Sequence, residues 1–270
     1  MQDCFDVGQI WCGHDVPFAP VRIIVTRPRY DDGMGMVIDL EQPRRLLGED
    51  GEWSVWYKPS GLLSVPDRLN TAPTLLDFAR NAGVASPRTI GRLDRAACGL
   101  MLLAESAAAQ RQLSNLWGQA ESIKSYDALV LAPPPSRTGA IELPIGPGRR
   151  GAVRVGQGKP ARTRYEVVGE YGAYHRIRVW IETGRRHQIR AHLAAIGAPI
   201  VGDTRYRRLA CRVGGYAGSD VAPRPARVIA LCCRRLALPD AGLDVALDDV
   251  RLERIWNDVI ATADADSVQS

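Results

Sequence analysis

Lysine is almost missing from this chain. Of 35 basic residues only Lys58, Lys124 and Lys159 are lysines; the other 32 are arginines. Long apolar runs are missing too. None approaches the roughly 20 residues that a membrane-spanning helix needs. The opening MQDCFDVGQIWCGHD carries acids where a signal peptide carries bases, and it has no apolar segment of the right length. These absences point to a cytoplasmic protein with no membrane partner. The six cysteines (Cys4, Cys12, Cys98, Cys211, Cys232, Cys233) include no C-x-x-C pair, and the neighbours Cys232 and Cys233 cannot easily bridge each other. A disulfide framework and a structural zinc site are therefore excluded, and reduced, mostly buried thiols are expected. Neither an internal repeat nor a long low-complexity linker is present.

What is present suits a globular protein with a full-sized core: 270 residues, 46% hydrophobic and 24% charged. The net charge is +5. Coding bias in a GC-rich genome explains the arginine total as well as function does, so position says more than number. Arg149, Arg150, Arg154, Lys159, Arg162 and Arg164 follow one another without an acid between them. Arg185, Arg186 and Arg190 form a second cluster, and Arg205, Arg207, Arg208 and Arg212 a third. Guanidinium forks bind phosphates in pairs and stack on bases, so such clusters suit a polyanion.

Residues 1–50 read as an N-terminal extension, with one strand at VRIIVTRPR (21–29). From Trp53 the signals sharpen. Ser54–Tyr57 reads as a strand ending at a Pro-Ser-Gly turn. Thr74 is placed to cap a short helix, with Asp77 three residues on and Gly83 as the stop. Leu100–Ala104 reads as a buried strand, and Ser106 as the cap of a helix to about Gln119. Strands follow at Lys124–Leu131 and Thr163–Val168. In Tyr174–Glu182, Ile177, Val179 and Ile181 face opposite to Arg176, Arg178 and Trp180. A helix is expected over Arg186–Ile196, and an amphipathic one from Leu247 to about Ala261. Many strands joined by short turns argue for an α+β fold with a mixed, mainly antiparallel sheet and flanking helices. The division expected is 1–50 extension, 51–240 main domain, and 241–270 helix and tail packed on it.

Two patterns carry no chemistry. Gly146 to Gly151 matches G-x-G-x-x-G, but the residues after it alternate like a strand and include a proline. No helix N-terminus is on offer for a pyrophosphate, so no nucleotide cofactor is expected. His187 and His192 are five residues apart and fall on different faces of a helix, which argues against a shared metal. In Gly91-Arg92-Leu93-Asp94-Arg95-Ala96-Ala97-Cys98-Gly99, a carboxylate sits between two arginines just before the buried strand. By itself this reads as a paired surface aspartate.

Other segments change that reading. Trp56-Tyr57-Lys58-Pro59-Ser60-Gly61-Leu62 resembles the N-K-P-x-G-[LV] opening of the RluA-type pseudouridine synthase family. Gly91–Ala104 resembles its H-R-L-D-x-x-T-S-G-L-L-L-x-A motif, and Lys124–Val130 its K-x-Y-x-A-x-V strand. Gly158–Thr163 resembles G-K-x-A-x-T. Thr183–Leu193, with Pro199–Asp203, resembles T-G-R-x-H-Q-I-R-x-H-L…P-I-x-G-D. The order is the family's, and the likeness runs from about residue 53 to 238. It departs from the pattern at Gly91, where the family has histidine, and at Ala97-Cys98, where it has Thr-Ser. No extra N-terminal RNA-binding domain is evident.

The resemblance implies a pseudouridine synthase fold with a central cleft, acting on uridine in structured RNA (rRNA or tRNA) as a monomer without cofactor or metal. It implies catalytic roles for Asp94, Tyr126 and Arg190. Asp94 attacks C1′ or removes a ribose proton, and Arg190 keeps it ionised against the cost of burial. Tyr126 stacks on the uracil. Arg92 holds the everted nucleotide, a conformation that costs about a few kcal/mol. Lys58, Lys124, Arg185 and His187 are expected to bind substrate, with Ile189 and Leu100 as the apolar wall. Two rivals remain at this point: a catalytically silent RNA-binding or ribosome-assembly protein on the same fold, and an unrelated hydrolase using Asp94 with His187.

Overall fold

The apolar run beginning at Cys98 forms a strand buried at every position in the computed structural model, which describes residues 42–49, 52–67, 72–212 and 228–268. In chain order the strands are β1 (Arg44–Glu49), β2 (Trp53–Lys58), β3 (Arg88–Ile90), β4 (Cys98–Ala104), β5 (Ile123–Val130), β6 (Thr138–Ile141), β7 (Ile145–Pro147), β8 (Val153–Val155), β9 (Thr163–Tyr171), β10 (Tyr174–Ile181), β11 (Leu231–Leu238) and β12 (Leu243–Ala246). The helices are α1 (Leu75–Asn81), α2 (Ala107–Trp117), α3 (Gln188–Ala195), α4 (Arg207–Arg212) and α5 (Asp249–Val268). Ten strands make one sheet in the order β1-β2-β4-β11-β5-β10-β9-β6, with β3 beside β4 and β12 beside β11. Among the described strand pairs, β4–β11 is parallel and the rest antiparallel. This is the mixed α+β architecture that the sequence implies.

Alternation along the central strands divides the core. Val55 and Tyr57 of β2 and Leu100 and Leu102 of β4 join the main cluster, which Trp256, Leu252 and Ile255 of α5 close. Trp56, Met101 and Leu103 face the other way and receive Leu75, Leu76 and Ala79 of α1. Burying each of these leucines, or Met101, contributes about 1.5–3 kcal/mol relative to leaving it exposed. Helix α1 starts where Thr74 and Asp77 form a reciprocal capping box. The Thr74 side chain accepts from the Asp77 amide, and the Asp77 carboxylate accepts from the Thr74 amide and hydroxyl. Ser106 caps α2 through the Ala109 amide. Gly99 permits the closest approach in the sheet: its φ is +113°, and a Cβ there would lie 2.4 Å from the Cys233 backbone nitrogen and oxygen.

The arginines of β10 have a structural use. Asp127 of β5, fully buried, accepts from Arg176 at 2.6 Å, Arg178 at 3.0 Å and Arg234 of β11 at 3.2 Å. Arg176 and Arg234 also reach Asp249 in the first turn of α5. The clamp joins three adjacent strands and the C-terminal helix behind the sheet.

Several boundaries differ from expectation. Arg44–Glu49, assigned by sequence to the N-terminal extension, is a sheet strand antiparallel to β2, with its register shifted between Arg45 and Leu47. Helix α3 begins at Gln188 rather than Arg186, because His187 takes the left-handed conformation (φ +53°). Gly146–Gly151 lies in the β7–β8 hairpin, with a 3-10 turn where a dinucleotide site would need an α-helix. The strand expected at 21–29 falls outside the described residues. Among the described residues, no helix is long and apolar enough to cross a membrane.

Candidate active site

The loop between β3 and β4 carries Asp94, and neighbouring chain holds it at several points. The Gly61 amide donates to the Arg95 carbonyl at 2.7 Å, and Arg95 Nε donates to the Gly61 carbonyl at 2.8 Å. Ser64 Oγ donates to the Leu93 carbonyl and accepts from the Leu93 amide. Ser60 Oγ donates to the Ala96 carbonyl. Inside this junction lies the Lys58 ammonium, fully buried, donating to the carbonyls of Pro59 and Leu62 at 2.9 Å and Arg95 at 3.4 Å. Burial pulls its pKa down to about 8. Lys58 was expected to bind substrate. It lies instead beneath the Asp94 loop as an internal pin and does not line the cleft.

Arg190 arrives from α3, which the buried faces of Ile189, Leu193 and Ala194 seat against the core. Its Nη1 donates to Asp94 Oδ2 at 2.9 Å. Its Nε and Nη2 donate to Asp203 at 2.7 and 3.0 Å. The Tyr206 ring stacks on the same guanidinium, 5.3 Å from its centroid. Asp203 also accepts from the backbone amides of Arg205 and Tyr206. A carboxylate so bonded, with a side chain 1% exposed, fixes the guanidinium before any ligand arrives. Asp94 Oδ1 takes no hydrogen bond among the described residues and faces His187 Nε2 at 3.8 Å.

These groups border a cleft of about 400 Å³, within the roughly 300–1,000 Å³ typical of small-molecule sites. Asp94, Tyr126, Arg190, Arg92, Lys124, Arg185, His187, Ile189 and Leu100 all line it. They are the ten residues expected from sequence, less Lys58. Their charges are not equally available. Lys124 Nζ donates to the Trp117 carbonyl at 2.7 Å and lies 5.2 Å from the Trp117 ring, and burial lowers its pKa. Arg185 Nε donates to the Pro160 carbonyl, while Arg92 is exposed. Burial pushes the Tyr126 phenol well above its usual range, so it keeps its proton at neutral pH. Burial also lowers His187 to about 4, opposed by the charge of Asp94 and aided by Arg190, Arg186 and Arg205. His192 faces away and bonds Thr163 Oγ1 and the Leu143 carbonyl, which rules out a metal shared with His187.

Sequence reasoning gave no role to Asp203, Tyr206, Trp117 or Cys233. Asp203 stood in the quoted G-D pair, which was the available signal. Trp117 at the end of α2 and Cys233 in β11 line the cleft without any local pattern to announce it. Cys98, in place of the family's serine, keeps a weak donor: its thiol reaches the Leu231 carbonyl at 3.7 Å.

A family model described as RNA pseudouridylate synthase matches residues 52–195, more than half of the chain. The chain belongs to this family. It is an RNA pseudouridine synthase, an isomerase that converts uridine in RNA to pseudouridine. The synthase is 38% identical over 167 residues to the dual-specificity RNA pseudouridine synthase RluA of Escherichia coli K12, covering 60% of this chain and 76% of that one. It is 36% identical over 179 residues to the ribosomal large subunit pseudouridine synthase D of Blochmanniella floridana, covering 61% and 54%. The fold matches the human RNA pseudouridylate synthase domain containing 1 structure with a TM-score of 0.58 at 22% identity, covering 78% of this chain and 84% of that one. The human domain containing 4 structure matches with a TM-score of 0.57 at 22% identity, over 75% and 87%.

Proposed function

We propose that Asp94 carries the isomerisation, on a uridine everted from structured RNA of the rRNA or tRNA class, without a cofactor. The reading is supported above all by the asymmetry of the carboxylate: Oδ2 is tied to Arg190 while Oδ1 faces the cleft. Oδ1 attacks C1′ or removes a ribose proton to give a glycal; both routes use a charged oxygen held in place. The N1–C1′ bond breaks, the uracil turns, and C5 bonds to C1′ as the Oδ1–C1′ ester bond breaks or, on the glycal route, as Oδ1 returns the proton to the ribose. The C5 proton then leaves to solvent and N1 gains one. No electrons are exchanged with an outside group, so the chemistry requires no redox partner.

Tyr126 stacks on the uracil through its ring, with its hydroxyl passing a proton on rather than acting as phenolate. Leu100 and Ile189 form the apolar wall that excludes water. Arg92, exposed at the mouth, holds the everted nucleotide, and Lys124, Arg185 and His187 contact it. The choice of RNA class rests on the arginine clusters and on relatives whose names specify dual-specificity RNA and ribosomal large-subunit substrates. The protein acts as a cytoplasmic monomer in this reading.

The test is tritium release from rRNA and tRNA carrying 5-³H-uridine, with Asp94→Asn in parallel. The wild type releases tritium and the variant does not, while RNA affinity changes less than about threefold, since a single charge on one face of the cleft is altered. Equal release from both removes Asp94 from the chemistry.

A further inference from the structure

His187 is the single non-glycine residue with positive φ among the described residues. Histidine tolerates that region better than most side chains, yet it is held there by contacts. Its Nδ1 lies 2.7 Å from the Tyr206 hydroxyl, and its ring meets the Tyr206 ring edge-on at 5.7 Å. The same hydroxyl oxygen accepts from the Val153 amide at 2.9 Å. Tyr206 is 4% exposed, and no further partner for its hydroxyl exists among the described residues.

A phenol has one proton to donate. Val153 is a donor and takes nothing from it, so the Tyr206 proton goes to His187 Nδ1. The imidazole is neutral, because burial and the nearby guanidiniums of Arg190, Arg186 and Arg205 disfavour its charged form. With Nδ1 acting as acceptor, the ring proton sits on Nε2, the atom that faces Asp94 Oδ1.

From this we infer that Tyr206 is a positioning residue that locks His187 in its Nε2–H tautomer, so that an N–H donor faces the cleft beside the free oxygen of Asp94. A neutral imidazole of the opposite tautomer would set a lone pair against that carboxylate and repel it. The donor's place in the cleft beside Asp94 Oδ1 suits it to the carboxylate or to a ribose or uracil oxygen. Val153 belongs to the β7–β8 hairpin, which also carries the exposed Arg149 and Arg154. The Tyr206 hydroxyl thus ties the histidine to an arginine-bearing hairpin. The catalytic consequence rests on the role proposed for Asp94; the tautomer does not.

Two measurements test the inference. Long-range ¹H–¹⁵N spectra of ¹⁵N-histidine-labelled wild type, with the His187 signals identified by their loss in His187→Gln, read the tautomer without RNA. The expected result is neutral Nε2–H at pH 7, with a smaller Nε2–H share in Tyr206→Phe, where Asp94 alone still favours that tautomer; an Nδ1–H or doubly protonated ring in the wild type, or an unchanged share in Tyr206→Phe, overturns the inference. Single-turnover tritium release supplies the second reading. Tyr206→Phe is expected to slow the step about 10- to 100-fold, the scale of a hydrogen bond to a charged group, with RNA affinity within about threefold. In a His187→Gln background, where an amide donor needs no tautomer, the same change should cost less than about threefold. An equal loss in both backgrounds means that Tyr206 acts through the Arg190 stack or the fold, and rejects the inference. Failure of the Asp94→Asn test leaves the spectra unaffected, so the two claims fail separately.

Discussion

Asp203 holds the Arg190 guanidinium by two bonds, Nε to Oδ2 at 2.7 Å and Nη2 to Oδ1 at 3.0 Å, which leaves Nη1 for Asp94. The more deeply buried carboxylate therefore orients the cation, and the cation orients the carboxylate exposed to substrate. Removing Arg190 leaves Asp203 buried and uncompensated. Arg190→Met should destabilise the fold by about 3–5 kcal/mol, read from urea denaturation. Asp203→Asn should fold, yet lower the tritium-release rate with little change in RNA affinity. A fully active Asp203→Asn variant would show that Arg190 needs no such hold.

Gly99 permits the parallel contact between β4 and β11. An alanine there meets the Cys233 backbone at 2.4 Å from a φ of +113°. Backbone atoms cannot turn aside as a side-chain tip can. Gly99→Ala is expected to cost at least about 2 kcal/mol from overpacking and strain together. Denaturation midpoints and soluble yield check this; a wild-type midpoint would contradict it.

The Lys58 ammonium links pH to stability. Its pKa is about 8 in the fold, against about 10.4 unfolded. Between these values the unfolded chain binds the proton more strongly, so this group makes stability rise with pH from about 8 to 10.4. Below about 8 both states are charged and the burial cost is present in full. The wild-type minus Lys58→Met difference in unfolding free energy should therefore increase from pH 7.5 to 9.5. A difference that is flat or falls with pH would mean that the ammonium is not shielded from water.

RNA binding through the arginine-bearing surface should depend steeply on salt. Neutralising about six phosphates gives a log K against log salt slope near −4 to −5. Replacing exposed Arg154 and Lys159 with glutamine should reduce its magnitude by about 1–2. Filter binding at several salt concentrations measures both slopes. An unchanged slope would place the RNA elsewhere on the protein.

Legibility followed the range of the interaction. The capping box of Thr74 and Asp77 spans three residues and could be read directly. So could the burial of β4, whose residues are apolar without interruption. The strand at Arg44–Glu49 was obscured by its two leading arginines and its register shift. Lys58 was misplaced because nothing in Tyr-Lys-Pro tells an ammonium bonded to carbonyls from one facing a ligand. Asp203 and Tyr206 were passed over because their partners Arg190 and His187 lie 13 and 19 residues away.

The order of the segments around Asp94, Tyr126 and Arg190 belongs to the sequence itself, since covalent spacing and side-chain chemistry are enough to mark a family. Which oxygen of Asp94 faces the cleft, which lysine turns inward and which hydroxyl sets the state of His187 were decided by the tertiary structure. Those outcomes depend on where separate strands and helices bring donors and acceptors within about 3 Å of one another, and that geometry exists only once the sheet has closed around them.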